Sequence, residues 1–161
     1  MNPRNQKTLK ADLAVLTRLE LYFSLRLITR TMRRFAELLE HDYDTLMIFF
    51  VVVESCFQAI IGFGGADSDL ETIERAYAES ISLGTSVLNI GEATGIPRET
   101  VRRKVKTLMD MGLVATAEKS KAIYVPLSAL LEPAMLEVLR AYVADTQQFV
   151  RTVQFYAKGE G

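Results

Sequence analysis

The stretch "GIPRETVRRKVKTLMDMGLV", residues 95–114, decides which fold this sequence predicts. A Gly-Ile-Pro corner opens it, and proline is favoured at the first position of a helix. Gly112 stands near its end, where glycine commonly terminates a helix. The stretch therefore predicts a single helix over about residues 97–111.

The predicted helix has an apolar side and a basic side. At about 100° per residue, Val101, Val105 and Leu108 point in one direction and form a stripe suited to burial. Five basic residues lie between positions 98 and 106, and those at 102, 103 and 106 point away from the stripe. We therefore expect the helix to be anchored on one side and to present cations on the other.

Charge is distributed unevenly along a chain whose formal net charge is only −1. Residues 1–34 carry eight basic and two acidic side chains, whereas residues 35–95 carry one basic and eleven acidic side chains. Residues 96–121 are basic again, with seven basic and three acidic side chains, and residues 122–161 have a net charge of −1. The local charge is therefore more informative about partners than the isoelectric point of the whole chain.

The residues on either side complete a helix-turn-helix pattern. Ser86 is a suitable N-cap for a short helix over about residues 87–94, which Gly95 ends before the next helix begins. Second helices of such pairs enter the DNA major groove. Further along, residues 113–127 contain two short apolar stretches that flank a polar tip, which predicts a β-hairpin with Lys119 and Lys121 at that tip.

Residues 81–127 resemble the winged helix-turn-helix domain of bacterial transcription regulators of the MarR, IclR and GntR type. The resemblance is carried by a small residue in the first helix, the turn glycine, an apolar plug, the packing positions of the second helix and its exit: Gly91, Gly95, Ile96, Val101, Val105 and the segment from Leu108 to Val114. Two positions differ from the pattern. Gly91 stands where alanine is usual, and Lys104 stands where a small apolar residue is common.

The resemblance implies double-stranded DNA as the partner, with the helix at 97–111 in the major groove and the hairpin at 113–127 as the wing on the flanking backbone or minor groove. The implied DNA contacts are Arg98, Thr100, Arg102, Arg103, Lys106, Lys119 and Lys121. Of these, Arg102 and Arg103 suit bidentate contacts to guanine, and Thr100 suits a phosphate or a thymine methyl group.

The basic face also has plainer interpretations. Glu99 with Arg103, and Lys106 with Asp110, have the i,i+4 spacing of ordinary surface ion pairs. Glu99 also suits the amino group of a cytosine, although the ion pair is the stronger expectation. A different class of function is a protein–protein interaction module that uses a winged helix without binding DNA.

The fold class we expect is mainly α with a small β-hairpin wing, in which a winged helix-turn-helix domain is flanked by N- and C-terminal dimerisation helices. The predicted parts are an N-terminal helical region at 1–66, the winged domain at 67–127 and a C-terminal helix at 128–161. The other predicted helices run from Thr8 to about Leu39, from Leu46, from Ser68 to Ser80 and from Pro133. These helices have more apolar surface than a small winged domain can bury, so we expect a homodimer.

Other classes of protein find little support. The apolar stretch that begins at Leu46 is shorter than the about 20 residues of a spanning helix and contains Glu54, which favours a buried core helix and no membrane partner. We see no signal peptide, and the single cysteine, Cys56, is expected to be an inert core thiol in a reducing cytoplasm. His41 is the only histidine and lacks a second ligand at metal spacing. We therefore expect no enzyme, metal or cofactor.

The sequence leaves open whether a small-molecule effector exists. An effector pocket between the N-terminal helices and the winged domain would have aromatic residues near it: Phe49, Phe50, Phe57 and Tyr77. We expect these side chains to belong to the core instead.

Overall fold

The structure is a computed structural model that describes residues 18–61, 71–72, 75, 77–78, 81 and 84–157. Its helices are α1 (Arg18–Leu38), α2 (Tyr43–Ile61), α3 (Val87–Thr94), α4 (Arg98–Asp110), α5 (Leu127–Leu130) and α6 (Pro133–Ala157). Its strands are β1 (Ala115–Thr116) and β2 (Ile123–Tyr124), which pair antiparallel. The prediction of a mainly helical chain with one small hairpin is therefore confirmed.

Two predicted features fall partly or wholly outside the described residues. The first turns of the predicted N-terminal helix, from Thr8 to residue 17, lie outside them, and so does Ser68, where another helix is predicted to begin. Of the helix expected to end near Ser80, residues 71, 72, 75, 77 and 78 are described, and all five are helical.

The contacts divide the chain into two compact units, and the division differs from the predicted boundaries. Of the described residues, those at 18–34 and 137–157 form the terminal unit, and those between 35 and 136 form the central unit. The predicted N-terminal region at 1–66 contributes to both units, and α2 packs on α3, α4 and β2 within the central unit.

The core of the central unit is built on α2. Leu46, Ile48 and Val52 are fully buried, and Phe49 is 1% exposed. The stretch that is apolar on nearly every side is therefore a core helix, as its length and its carboxylate predicted. None of the helices within the described ranges is both long enough and apolar enough to cross a membrane.

Two of the four aromatic residues considered for an effector pocket are core residues. Phe49 and Tyr77 are buried, Phe50 is half-buried against Phe35, and Phe57 is partly exposed. The rings of Phe35 and Phe50 meet edge to face, with centroids 5.0 Å apart, which is a favourable aromatic geometry. The preference for a core role is confirmed for Phe49 and Tyr77.

Cys56 belongs to a buried polar cluster that ties α2 to the hairpin. The Val125 N–H donates to the Cys56 sulfur at 3.4 Å, and the Tyr77 hydroxyl donates to the Val125 carbonyl oxygen. Burial raises the pKa of the Cys56 thiol, because the thiolate is disfavoured away from water. The cluster supports the expectation of a structural thiol.

We expect Cys56 to react with a soluble aromatic disulfide reagent much more slowly in the native chain than in denaturant. Its side chain is 4% exposed, and the reactive thiolate is depleted by its raised pKa. Absorbance of the released reagent thiolate at neutral pH measures both rates. Equal rates in the two states would show that the thiol is accessible in the folded chain.

A tight corner connects α1 to α2. Glu40 and His41 adopt left-handed backbone conformations, with φ of 51° and 62°. The N–H groups of Leu39 and His41 both donate to the Ala36 carbonyl oxygen, at 3.0 and 2.8 Å, and close the end of α1. Asp42 follows, and its Oδ1 accepts a hydrogen bond of 3.1 Å from the Thr45 N–H at the start of α2. The carboxylate therefore caps α2.

The hairpin is extended by the segment that precedes α3. Thr85 and Ile123 exchange two backbone hydrogen bonds, of 3.0 and 2.7 Å. A Cβ on Gly84 would lie 2.5 Å from the Ile123 carbonyl oxygen, so this close approach requires glycine. The pairing places the entry to α3 beside β2.

Ion pairs join α1 and α6 within the terminal unit. Asp145 accepts from Arg30 at 3.3 Å through one carboxylate oxygen and from Arg34 through the other. The carboxylate that Arg30 and Arg34 share lies more than 100 positions away from them in the chain.

Candidate nucleic-acid interface

Helix α4 is anchored by the apolar stripe that its sequence predicts. Val101 and Leu108 are fully buried, and Val105 is 5% exposed. Gly112 ends the helix with a φ of 73°, and the N–H groups of Leu113 and Val114 donate to the Leu108 carbonyl oxygen. This is the glycine-terminated helix end expected from the sequence. The anchor fixes which side of α4 faces solvent.

A short turn connects α3 to α4. Ser86 caps α3 by accepting from the Asn89 N–H at 3.2 Å, and Gly95 ends it with a φ of 72°. Pro97 has a φ of −56° and is the N-cap of α4, so the helix begins at Arg98, one residue later than predicted. The two helices contact each other. The predicted helix, turn and helix are therefore present.

The close approach of this turn to α3 explains why glycine occupies position 91. A Cβ at Gly91 would lie 3.3 Å from the Ile96 carbonyl oxygen and 3.6 Å from Cγ of Arg98. The first distance is tighter than ordinary van der Waals contact. Glycine in place of the usual alanine lets the turn pass close over α3.

The solvent side of α4 is basic. Arg98, Arg102, Arg103 and Lys106 are exposed, and Thr100 is half-buried. Within the part of the chain that the structure describes, Arg98, Arg103 and Lys106 lie within ion-pair distance of no carboxylate. These cations keep their positive charge available for an external anion.

The predicted surface ion pairs of α4 were wrong. Glu99 pairs with Arg102 at i,i+3, at 3.0 Å, and not with Arg103 at i,i+4. Lys106 and Asp110 do not form an ion pair in the described structure. The Glu99 and Arg102 side chains are 84% and 66% exposed, so their pairing contributes little to stability and is readily exchanged for another partner.

Lys104 is set apart from the other cations of α4. Its side chain is only 19% exposed, and its ammonium group pairs with the second carboxylate oxygen of Asp42, the residue that caps α2. Burial raises the pKa of the Asp42 carboxyl, but hydrogen bonds from Lys104 and Thr45 outweigh it, and the net pKa lies below the ordinary value. Lys104, which departs from the family pattern, thus links α4 to the corner between α1 and α2.

The hairpin tip presents two more cations. Lys119 and Lys121 are exposed, and Lys121 has a left-handed backbone with a φ of 57°. The tip is closed by Lys121 N–H donating to Ala117 at 3.0 Å and Ala117 N–H donating to Ala122 at 2.8 Å. Thr116 contacts the sulfur of Met109 at 3.8 Å, which joins β1 to the end of α4. The predicted hairpin lysines therefore stand on an element attached to α4.

Sequence reasoning missed the link between Asp42 and Lys104. The two residues are 62 positions apart, and no local sequence pattern around either residue indicates that the other is its partner. The one available signal was that Lys104 occupies an apolar position of the family pattern. Among the described residues, no group of three His, Cys, Asp or Glu side chains is arranged to hold a metal ion.

No protein-family model, curated protein or solved structure matches this chain. The resemblance of residues 81–127 to winged helix-turn-helix regulators therefore stands on the residues that carry it. The case for a function depends on the anchored α4, its exposed cations and the basic hairpin tip.

Proposed function

We propose that this chain is a sequence-specific transcription regulator of the winged helix-turn-helix type that binds double-stranded DNA as a homodimer in the cytoplasm. In this proposal α4 is the recognition helix and the hairpin is the wing. The observation that carries the proposal is that α4 has a buried apolar anchor on one side and exposed cations on the other. Of these cations, Arg98, Arg103 and Lys106 have no ion-pair partner among the described residues.

The exposed residues of α4 match the chemistry of a DNA groove. Arg103 has an exposed guanidinium free to make two parallel hydrogen bonds to guanine, and Arg102 reaches the same edge by releasing Glu99. Arg98, at the first turn, suits a phosphate. Thr100 is half-buried, and it suits a phosphate or a thymine methyl group.

The wing supplies contacts that carry no sequence information. Lys119 and Lys121 are long, exposed and placed at the end of a two-stranded hairpin. Lysine ammonium groups at such a tip suit phosphates or the negative potential of the minor groove. These contacts contribute affinity and salt dependence more than specificity.

Uncovered apolar surface on the terminal unit supports the homodimer. Leu21, Leu25 and Ile28 follow one face of α1 and are 48%, 55% and 54% exposed. Val143 and Val150 on α6 are 50% and 44% exposed and stand one heptad apart. Contiguous exposed apolar residues mark association surfaces. A two-fold dimer would place two recognition helices about one DNA turn, roughly 34 Å, apart.

Selection of bound duplexes from a random pool tests the proposal. We expect enrichment of a pseudo-palindromic site whose half-sites are about one helical turn apart, or a multiple of it. The affinity for the selected duplex should fall steeply as salt rises from about 50 to about 200 mM, because phosphate contacts release counterions. Light scattering of the same sample should give a dimer mass.

A pool from which no sequence is enriched would contradict the proposal. If the chain also binds bulk duplex DNA no better than a protein without basic patches, the protein–protein interaction module becomes the better interpretation. A monomeric mass at the concentrations of the binding experiment would contradict the homodimer and leave the DNA contacts to be judged separately.

Lys104 is expected to position α4 rather than to contact DNA. Lys104→Met and Asp42→Asn should each weaken DNA binding by roughly two- to tenfold, as expected from losing about 0.5–1.5 kcal/mol of positioning. Neither substitution should change the slope of affinity against salt, since Lys104 faces Asp42. Anisotropy titrations of a labelled duplex at several salt concentrations measure both quantities.

Lys106→Met is the matched comparison for Lys104→Met. It removes an exposed cation from the same helix and should reduce the salt slope by about one. A reduced slope for Lys104→Met as well would show that Lys104 meets phosphate, which would refute its positioning role.

A further inference from the structure

The terminal unit contains a cavity between α1 and α6. Its volume is about 220 Å³, and residues from both helices line it. Phe23 and Leu27 of α1 and Phe149 of α6 form an apolar wall, and all three are half-buried. The cavity has no part in the proposed DNA interface.

The α1 side of the cavity combines an apolar row with a basic row. Phe23 and Leu27 are four residues apart, as are Arg26 and Arg30, so each pair stacks along one line of the helix. The two rows lie side by side because Arg26 follows Phe23, and Arg30 follows Leu27, at the i,i+3 spacing of neighbours on a helix surface. Two arginines at i,i+4 repel each other, and an anion between them removes that repulsion.

The charge of this site is only partly compensated from within the chain. The Asp145 carboxylate is occupied by Arg30 and by Arg34, which follows Arg30 at the same spacing. Arg26 meets no carboxylate among the described residues and donates only a long hydrogen bond of 3.5 Å to the Tyr22 hydroxyl. One guanidinium at the cavity therefore retains its donors and its charge.

We propose that this cavity binds a small organic anion, with a carboxylate or sulfonate group on Arg26 and a short apolar body against Phe23, Leu27 and Phe149. Guanidinium groups hold such anions through two parallel hydrogen bonds. The volume lies below the about 300–1,000 Å³ typical of sites for drug-sized ligands, so the ligand has only a few carbon atoms. The proposal is independent of DNA binding.

Fluorine NMR with one matched pair of probes tests the proposal. The probes are pentanoate trifluorinated at its terminal carbon and the corresponding neutral pentanamide. The carboxylate signal should broaden and shift saturably on titration with the intact chain. The amide has the same apolar body without the charge, and it should bind at least about tenfold more weakly, as expected for loss of a charge-assisted pair.

Substitutions of Arg26 identify the site. Arg26→Gln should weaken carboxylate binding about tenfold and leave the weak amide binding unchanged, whereas Arg26→Lys should retain most of the affinity. Arg151→Gln, which removes an exposed arginine of α6 outside the cavity, should have no effect. Arg26 is exposed and has no ion-pair partner among the residues that the structure describes, so its substitution should leave the melting temperature nearly unchanged.

Three results would overturn the proposal. They are equal binding of the two probes, carboxylate binding that Arg26→Gln leaves intact, and the absence of saturable binding at millimolar probe. A fourth result would also reject the ligand site. If the carboxylate binds only below the concentration at which the chain dimerises, a second copy of this chain occupies the cavity.

Discussion

Replacement of both Arg102 and Arg103 by alanine should abolish the preference of this chain for its selected DNA sequence. A bidentate arginine–guanine contact contributes about 1–3 kcal/mol of discrimination, so the loss of two should lower specific affinity by roughly two orders of magnitude or more. Binding to unrelated duplex DNA should weaken much less, because Arg98, Lys106 and the two wing lysines remain. Anisotropy titrations with the selected and a scrambled duplex, at the same salt concentration, measure the ratio.

The two arginines should differ when they are replaced singly. Arg103 has no ion-pair partner in the described structure, whereas Arg102 must first exchange Glu99 for DNA. The exchange costs little at such exposed side chains, so both single variants should lose specificity. Glu99→Gln removes the competing partner, and we expect it to strengthen binding of either duplex modestly.

Arg140 and Arg151 provide the control pair. Both are exposed on α6, and their replacement removes the same charge from the chain on a different helix. The control variant should keep its sequence preference. If the control and the Arg102/Arg103 variant lose specificity equally, total charge rather than the α4 face decides binding, and the proposed recognition helix is wrong.

The parts of the structure that the sequence predicts well are those set by local rules. Ser86 caps α3, while Gly95 and Gly112 adopt the left-handed conformation at helix ends. Val101 and Leu108 are buried, because helical periodicity fixes their direction once the helix is established. Helix capping, turn conformation and helical periodicity each depend on neighbours within a few residues, so a single sequence contains the necessary information.

The parts that the sequence could not predict depend on distant partners. Lys104 meets Asp42, and Arg30 meets Asp145, across separations for which no spacing rule exists. The placement of α2 in the central unit has the same origin, since an apolar helix can pack on any matching surface. The sequence could not predict whether Glu99 pairs with Arg102 or with Arg103 either, because i,i+3 and i,i+4 partners are both within reach.

Leu108→Ala should cause the largest loss of stability among the substitutions considered. Leu108 is fully buried where α4 packs on the core of the central unit, and the truncated side chain would leave a cavity there. Such substitutions lower the free energy of unfolding by about 2–5 kcal/mol. The carbonyl group of residue 108 would still accept from Leu113 and Val114, so the loss reports packing rather than the helix end. Urea unfolding followed by circular dichroism measures it.

Met109→Ala is the matched control, one position further along the same helix. Met109 is 42% exposed, and its one described polar contact is the 3.8 Å approach of the Thr116 hydroxyl to its sulfur. Its replacement should change the free energy of unfolding by no more than about 0.5 kcal/mol. Equal losses for the two variants would show that α4 is not anchored by its Val101–Val105–Leu108 stripe. The orientation of the basic face, on which the proposed DNA contacts depend, would then be wrong as well.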